Sequence, residues 1–413
     1  MIKLIRRNKA FGKLLAASMI SEMGSHFTYM LLIVLAYEET KSVMTTMGIT
    51  IASSVGTLLM GSVSGVLVDR RRPVQVMVLS NLLQALAISS LFFLPVSTWS
   101  YYVMSFIMAV LATFQAPASR KYQVTVVQED ELMEANASMQ TGREALKIIG
   151  PLLAVTVLSV FAPEWRKIGY LIDGTSFILC ALILTSLGFS WKKQEAEKEA
   201  SSAEKSRFVE QWREGFAPLK QPILAAVVLM FLFIIIGIGG VEVIFTAHVS
   251  EAGYSSLAVG YLFAALSAGL ILASMFGTKY FAKWPLAIRL GGATLGIGLF
   301  MGAVGLNANL IAMSAASFVL GLFNSVYNVS ASTYMQKAVP REQLGRFFGL
   351  VSSLFSAVGL LGLAINGVLG TILEPHLVLL WVGGILSVTG CVSMVVIGLA
   401  ERKTRAANQS ASA

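Results

Sequence analysis

Long apolar runs broken by short polar or charged stretches fill almost the whole chain, and they predict twelve membrane-crossing helices. The predicted spans are 14–37, 44–68, 74–95, 99–119, 136–161, 168–190, 222–247, 256–277, 288–306, 309–335, 346–369 and 377–399. A helix rises about 1.5 Å per residue, so roughly 20 apolar residues cross a hydrocarbon core of about 30 Å. The runs are continuous rather than alternating with period two, which argues against barrel strands.

Composition supports a chain solvated mostly by lipid. Of its 413 residues, 56% are hydrophobic and 13% charged, and the mean hydropathy is +0.74. Soluble domains carry about 25% charged residues. The 36 glycines suit close helix packing in a bilayer, where small residues let backbones approach. The basic N-terminus leads into a full-length span without an evident cleavage site, so no signal peptide is expected. Cys180 and Cys391 both lie in apolar runs and are expected to be packing residues without a disulfide. The net charge of +9 is spread among loops, which fits membrane orientation and not nucleic-acid binding.

Lysine and arginine set that orientation. The N-terminal segment, Arg70 to Arg72, Arg120, Lys121, the central loop, Lys279, Lys283, Arg289, Lys337, Arg341, Arg346, Arg402, Lys403 and Arg405 fall on one side. Only Lys41, Arg166 and Lys167 fall on the other. The positive-inside rule then places both termini in the cytoplasm.

The polar stretch from Trp191 divides six spans from six, giving an expected first bundle at 1–190, a linker at 191–221 and a second bundle with a tail at 222–413. The halves are related. At a constant offset of 212 residues, Gly48 meets Gly260, Gly65 meets Gly277, Pro73 meets Pro285, Val127 meets Val339, Leu132 meets Leu344 and Gly150 meets Gly362. The expected fold class is an all-α polytopic membrane protein, with two pseudo-symmetric six-helix bundles around a central cavity. Such repeats rock to give alternating access. The copies have diverged at one place: Asp69 and Arg70 correspond to Phe281 and Ala282.

Gly65-Val-Leu-Val-Asp69-Arg70-Arg71-Arg72-Pro73 resembles the loop between spans 2 and 3 of the major facilitator superfamily, two residues shorter and without its second glycine. Other segments are similar to the bacterial branch of macrolide-efflux and enterobactin-export proteins. They are Ser21-Glu22-Met23-Gly24, Pro117-Ala118-Ser119-Arg120, Glu131-Leu132 with Ala135-Asn136-Ala137, Gly150-Pro151, Asp173 with Ser176-Phe177, Gln336 to Pro340, and Gly345-Arg346. The resemblance covers essentially the whole chain. It implies a cytoplasmic latch in which Gly65, Asp69, Arg70 and Arg72 engage the start of span 11 near Arg346. A carboxylate suits a helix N-terminus. The competing reading is topogenic charge plus a helix cap.

Four ionisable groups lie at membrane depth. Glu22 and His26 are four residues apart and share a face of span 1. Intramembrane charge is costly, so both should face a cavity, where they would suit proton coupling; a structural hydrogen-bonded pair is the alternative. Asp173 and Glu242 sit nearer the outer ends of spans 6 and 7, where water is expected to reach them. Gly237, Gly239 and Gly240 precede Glu242 and would loosen span 7 at a gate. Arg143 either contacts substrate or, with Lys147, snorkels to the surface.

Phe27, Tyr29, Gln115, Phe245, Asn324, Tyr327 and Asn328 would line a cavity for a bulky amphipathic molecule. Amides at this depth, Asn81, Gln84 and Asn366 among them, also hold helices together. No nucleotide-binding loop or metal-ligand spacing is present, so no enzyme activity, cofactor or metal is expected.

The resulting expectation is a monomeric exporter in the bacterial inner membrane, moving a small organic molecule (a drug, a macrolide-like compound or a siderophore) against proton influx. Nutrient import, lysolipid movement and a non-transporting scaffold or sensor are the competing readings.

Overall fold

A computed structural model describes residues 2–40, 43–93, 97–160, 165–188, 215–254 and 258–412. The description covers the backbone alone at 2, 30–31, 33–40, 43–47, 98, 148, 150–160, 165–167, 242–243 and 403–412. Most of the expected linker, residues 189–214, lies outside the described residues, as does Lys41. The described chain is nearly all helical and has no strand.

Each of the twelve predicted spans coincides with described helix, most with longer ends. Span 1 is Lys9–Thr40, span 2 Val43–Asp69, span 3 Pro73–Ser90, span 5 Leu132–Val160 and span 6 Trp165–Thr185. Span 10 is Leu310–Ala338, span 11 Leu344–Ile372 and span 12 Pro375–Ser412. Pro73 and Pro222 stand in the first turns of spans 3 and 7, where a missing N–H costs nothing and the fixed φ suits the helix. Among the described residues, nine helices are long and apolar enough to cross a membrane by length and composition.

Four spans are irregular. Span 4 consists of Thr98–Ala112 and Gln115–Val126. Pro117 has no N–H for the Thr113 carbonyl four residues back, so the helix breaks there. The Ser64 hydroxyl, shared with the Gly61 carbonyl at 2.7 Å, reaches the Thr113 carbonyl at 3.1 Å. Span 7 consists of Pro222–Ile238 and Val241–Glu251, with Gly240 between them at φ +74°. Span 8 passes through a π-helical turn at Ala273–Gly277, and span 9 starts with another at Ile288–Gly292.

The chain forms two compact units. One comprises Met1–Ala135, Ala145–Ala217 and Val339–Ser356. Its centre is an apolar cluster from spans 1, 2, 3, 4 and 6, including Phe27, Ile49, Ile88, Tyr101, Met104 and Phe177. The other comprises Asn136–Glu144, Pro218–Ala338 and Ala357–Ala413. In it spans 9 and 12 touch through glycines: a Cβ on Gly298 would lie 2.5 Å from the Gly383 carbonyl, and one on Gly383 would lie 2.6 Å from that of Gly298. By packing, the start of span 11 therefore belongs with the first unit, and Asn136–Glu144 of span 5 with the second.

Large apolar side chains also face outward, among them Leu79, Leu82, Leu83 and Leu86 along span 3. An apolar surface this extensive suits hydrocarbon rather than water. Cys180 is buried with its thiol toward the Ala17 carbonyl, whereas Cys391 is exposed on span 12, contrary to the packing role expected of it.

Candidate functional site

Asp69 closes span 2, and its side chain is only 4% exposed. Its two carboxylate oxygens sit on the first turn of span 11. The Gly345 N–H donates to Oδ1 and the Arg346 N–H to Oδ2, both at 2.7 Å, and Arg346 Nε donates to Oδ2 at 3.2 Å. The first N–H groups of a helix have no partner within it and carry partial positive charge, so an anion there is doubly favoured. Lys121 of span 4 supports the arrangement from behind. Its ammonium donates to the carbonyls of Asp69 at 3.0 Å and Val68 at 3.3 Å, and lies 3.7 Å from Asp69 Oδ1. It thus caps the C-terminus of span 2 and neutralises the carboxylate at once.

Glycines let the backbones meet. A Cβ on Gly345 would lie 2.7 Å from the Gly65 carbonyl, and one on Gly349 would lie 2.6 Å from the Gly61 carbonyl. A Cβ on Gly65 would overlap the Gly345 carbonyl outright. The Arg120 guanidinium stacks over Phe348 at 4.3 Å, a cation–π contact that holds the same turn. Of the expected latch residues, Gly65, Asp69 and Arg346 are brought together. Arg70 is exposed, and Arg72 forms the extended residue that precedes span 3.

The second unit has a related contact of different chemistry. Asn136, at the start of span 5, donates to Thr333 Oγ1 at 2.9 Å and to Gln336 Oε1 at 2.7 Å. The Thr141 and Ser274 hydroxyls are 2.6 Å apart. At the 212-residue offset, Thr141 corresponds to Ser353, whose hydroxyl donates to the Leu58 carbonyl at 3.2 Å. Amides and hydroxyls make this contact where the first unit uses charge. Phe281, in register with Asp69, is buried, and a Cβ on Gly277 would meet nothing nearer than the Phe281 ring at 3.4 Å.

The membrane-depth acids are distributed differently from expectation. Glu22 and His26 are half-buried on span 1. Asp173, expected near water, is 1% exposed and sealed inside the first unit. Gly24 explains the closure: a Cβ there would lie 2.5 Å from Ser176 Oγ and 2.9 Å from Asp173 Oδ1, so span 1 rests directly on span 6. The Thr28 hydroxyl donates to Asp173 Oδ2, while Oδ1 has no hydrogen-bond partner among the described residues. Glu242 lies on the helix that follows Gly240, with its side chain outside the described residues.

Three expected cavity residues are buried. Phe27 belongs to the apolar cluster of the first unit. Tyr327 is buried against Phe231, with its hydroxyl donating to the Val227 carbonyl at 3.2 Å. Phe245 is buried against Phe263. Each ring is thus buried among apolar neighbours in this structure. Tyr29 is exposed, its hydroxyl 2.7 Å from Thr50 Oγ1. Gln115 sits at the break in span 4, and its amide nitrogen has no partner among the described residues. Arg143 is half-buried, and Asn328 donates to the Asn324 carbonyl one turn earlier at 3.0 Å.

The sequence profile of the Major Facilitator Superfamily matches residues 14–310 and 285–413. The chain belongs to the Major Facilitator Superfamily. It is a multi-pass membrane transporter with the twelve-helix fold of that family. It is 25% identical to the MFS-type transporter YfiS of Bacillus subtilis (strain 168) over 412 residues, 97% of this chain and 96% of that one. It is 22% identical to macrolide efflux protein A of Streptococcus pyogenes over 365 residues, 85% of this chain and 87% of that one. The crystal structure of the human organic anion transporter MFSD10 (TETRAN) shares the fold, with a TM-score of 0.75, 12% identity and coverage of 95% and 99%.

Within this superfamily fold, the contacts that sequence reasoning missed are those made by ordinary residues. Lys121 reads as a topogenic cation, Gly345 and Gly349 as small residues, and Phe348 as core. Only the knowledge that span 11 starts against span 2 gives them a role. Asn136 was legible as part of a motif, but not its pairing with Gln336, 200 positions away.

Proposed function

We propose that this transporter exports a small organic compound (a drug, a macrolide-like molecule or a siderophore) by alternating access, with protons as the counter-ion. It works as a monomer in the bacterial inner membrane with both termini in the cytoplasm, its halves 1–190 and 222–413 joined by the linker 191–221. Similarity to macrolide efflux protein A supports the direction and the substrate class.

The observation that carries the mechanism is the Asp69 carboxylate on the first turn of span 11. In this reading the contact is the cytoplasmic latch. Its hydrogen bonds form only when the start of span 11 meets the end of span 2, so they stabilise one state of the cycle and are lost in the other. Arg346 strengthens the closed state, whereas Lys121, anchored on the span 2 carbonyls, stays with Asp69 throughout.

Proton coupling is assigned to Glu22 first, with His26 beside it, and to Asp173 and Glu242 as further acids. Tyr29, Gln115, Arg143, Asn324 and Asn328 remain the substrate-facing candidates. A deletion strain and an overexpressing strain compared across antibiotics, dyes and siderophores, with and without a protonophore, test the reading. Lower accumulation of at least one compound on overexpression, reversed by the protonophore, is expected. Accumulation that is the same in both strains for every compound refutes export.

A further inference from the structure

Span 7 stops being a helix in the middle of its apolar run. Gly239 N–H still reaches the Ile235 carbonyl, at 2.9 Å, and there the regular ladder ends. Gly240 turns into the left-handed region at φ +74°, and a new helix starts at Val241. The break leaves the carbonyls of the last turn without their usual donors four residues on. In hydrocarbon each such group must find another partner or cost several kcal/mol.

One side chain answers this need. Asn366 of span 11 is 3% exposed, and its amide nitrogen lies 3.0 Å from the Ile236 carbonyl, 3.2 Å from that of Gly237 and 2.6 Å from that of Gly239. Two N–H groups thus serve three acceptors at the lip of the break. The backbones are close enough to need glycine on both sides: a Cβ on Gly239 would lie 2.8 Å from the Gly362 carbonyl carbon, and one on Gly362 would lie 2.7 Å from the Ile236 carbonyl oxygen.

The internal repeat supplies a control. At the 212-residue offset Gly239 and Gly240 correspond to Phe27 and Thr28, and Asn366 corresponds to Ala154. Span 1 is one unbroken helix through Phe27 and Thr28. Break and amide therefore occur together in one copy and are absent together from the other.

We propose that Asn366 is the positioning residue for a hinge in span 7. It holds the helix open at Gly239–Gly240, so that Val241–Glu251, carrying Glu242, moves as a separate segment during the transport cycle. The inference rests on the transport reading above and adds a moving part to it. Span 11 then has two tasks: its first turn receives Asp69, and its middle fastens the hinge.

Hydrogen–deuterium exchange on the purified full-length protein, together with transport kinetics for a compound from the efflux panel, tests this. Asn366→Leu should raise exchange at residues 236–244 by roughly tenfold, the loss expected for about one buried hydrogen bond, with residues 222–233 unchanged. Turnover should fall by a similar factor of roughly ten, while KM moves by less than about twofold. Asn366→Gln keeps both donors on a longer arm and should recover part of the turnover. Wild-type exchange and turnover in Asn366→Leu overturn the proposal. So does loss of protection spread evenly over the second unit, which marks a folding role only. If the wild-type protein moves no compound, the transport reading fails, and the exchange pattern still decides whether Asn366 fastens the break.

Discussion

The Asp69 carboxylate accepts the backbone N–H of Gly345 at 2.7 Å, across 276 positions of sequence. The end of one helix thereby caps the start of another, and the neighbouring Arg346 N–H completes the pair. A hydrogen bond to a charged group contributes about 1.5–3 kcal/mol. Contacts of that size set the balance between two states of a transporter without locking either.

Asp69→Asn should therefore weaken the closed contact, since an amide offers one acceptor oxygen to two donors and no charge to the helix terminus. Spin labels on exposed positions near residues 70 and 342 should show the separated population rise by roughly tenfold or more. Substitutions at Phe281, its counterpart in the second copy, should leave that distribution unchanged. An unaltered distribution in Asp69→Asn would remove the latch from the account.

The repeat also predicts unequal glycines. Gly65→Ala places a methyl on the Gly345 carbonyl and should destabilise the closed contact by about 1–3 kcal/mol, the usual cost of overpacking. Gly277→Ala would make only ordinary contacts, none nearer than the Phe281 ring at 3.4 Å, and should be close to neutral. Thermal unfolding and label distances, measured on both variants, check the difference; equal effects contradict the asymmetry.

Lys121 is expected to matter more than its arginine neighbours. Lys121→Met strips the donor from the Val68 and Asp69 carbonyls and takes a cation from a buried carboxylate. The melting temperature should fall by the equivalent of about 1–3 kcal/mol. Arg70→Ala, at an exposed position, should stay within about 0.5 kcal/mol of wild type.

The coupling assignment separates two acids. Glu22→Gln should abolish gradient-driven efflux while leaving insertion and folding intact, because a half-buried amide occupies the same space without exchanging a proton. Asp173→Asn keeps an acceptor for Thr28, so the first unit should fold as before. If its efflux is also lost, Asp173 shares in coupling; wild-type efflux makes it a packing tie between spans 1 and 6.

Much of the fold was legible because hydrocarbon imposes a simple rule of about twenty apolar residues per crossing. The breaks were legible in part. Pro117 and the Gly239–Gly240 pair carry their own backbone signals, whereas the π-helical turns in spans 8 and 9 have none. The site was harder. Asp69 and Arg346 stand out as charges beside apolar runs, so their pairing was anticipated. The burial of Phe27, Tyr327 and Phe245 was not legible, because an aromatic residue at membrane depth looks the same whether it fills a helix contact or faces a cavity. Asp173 misled because its distance from the end of span 6 gave no sign of the glycine opposite it.

Transport by purified protein in sealed vesicles, with an imposed proton gradient and a compound chosen from the efflux panel, tests the central claim most directly. Uphill movement against proton flow, collapsing when the gradient is dissipated and absent in Glu22→Gln, is the predicted result. A wild-type rate that does not respond to the gradient in either direction contradicts the account.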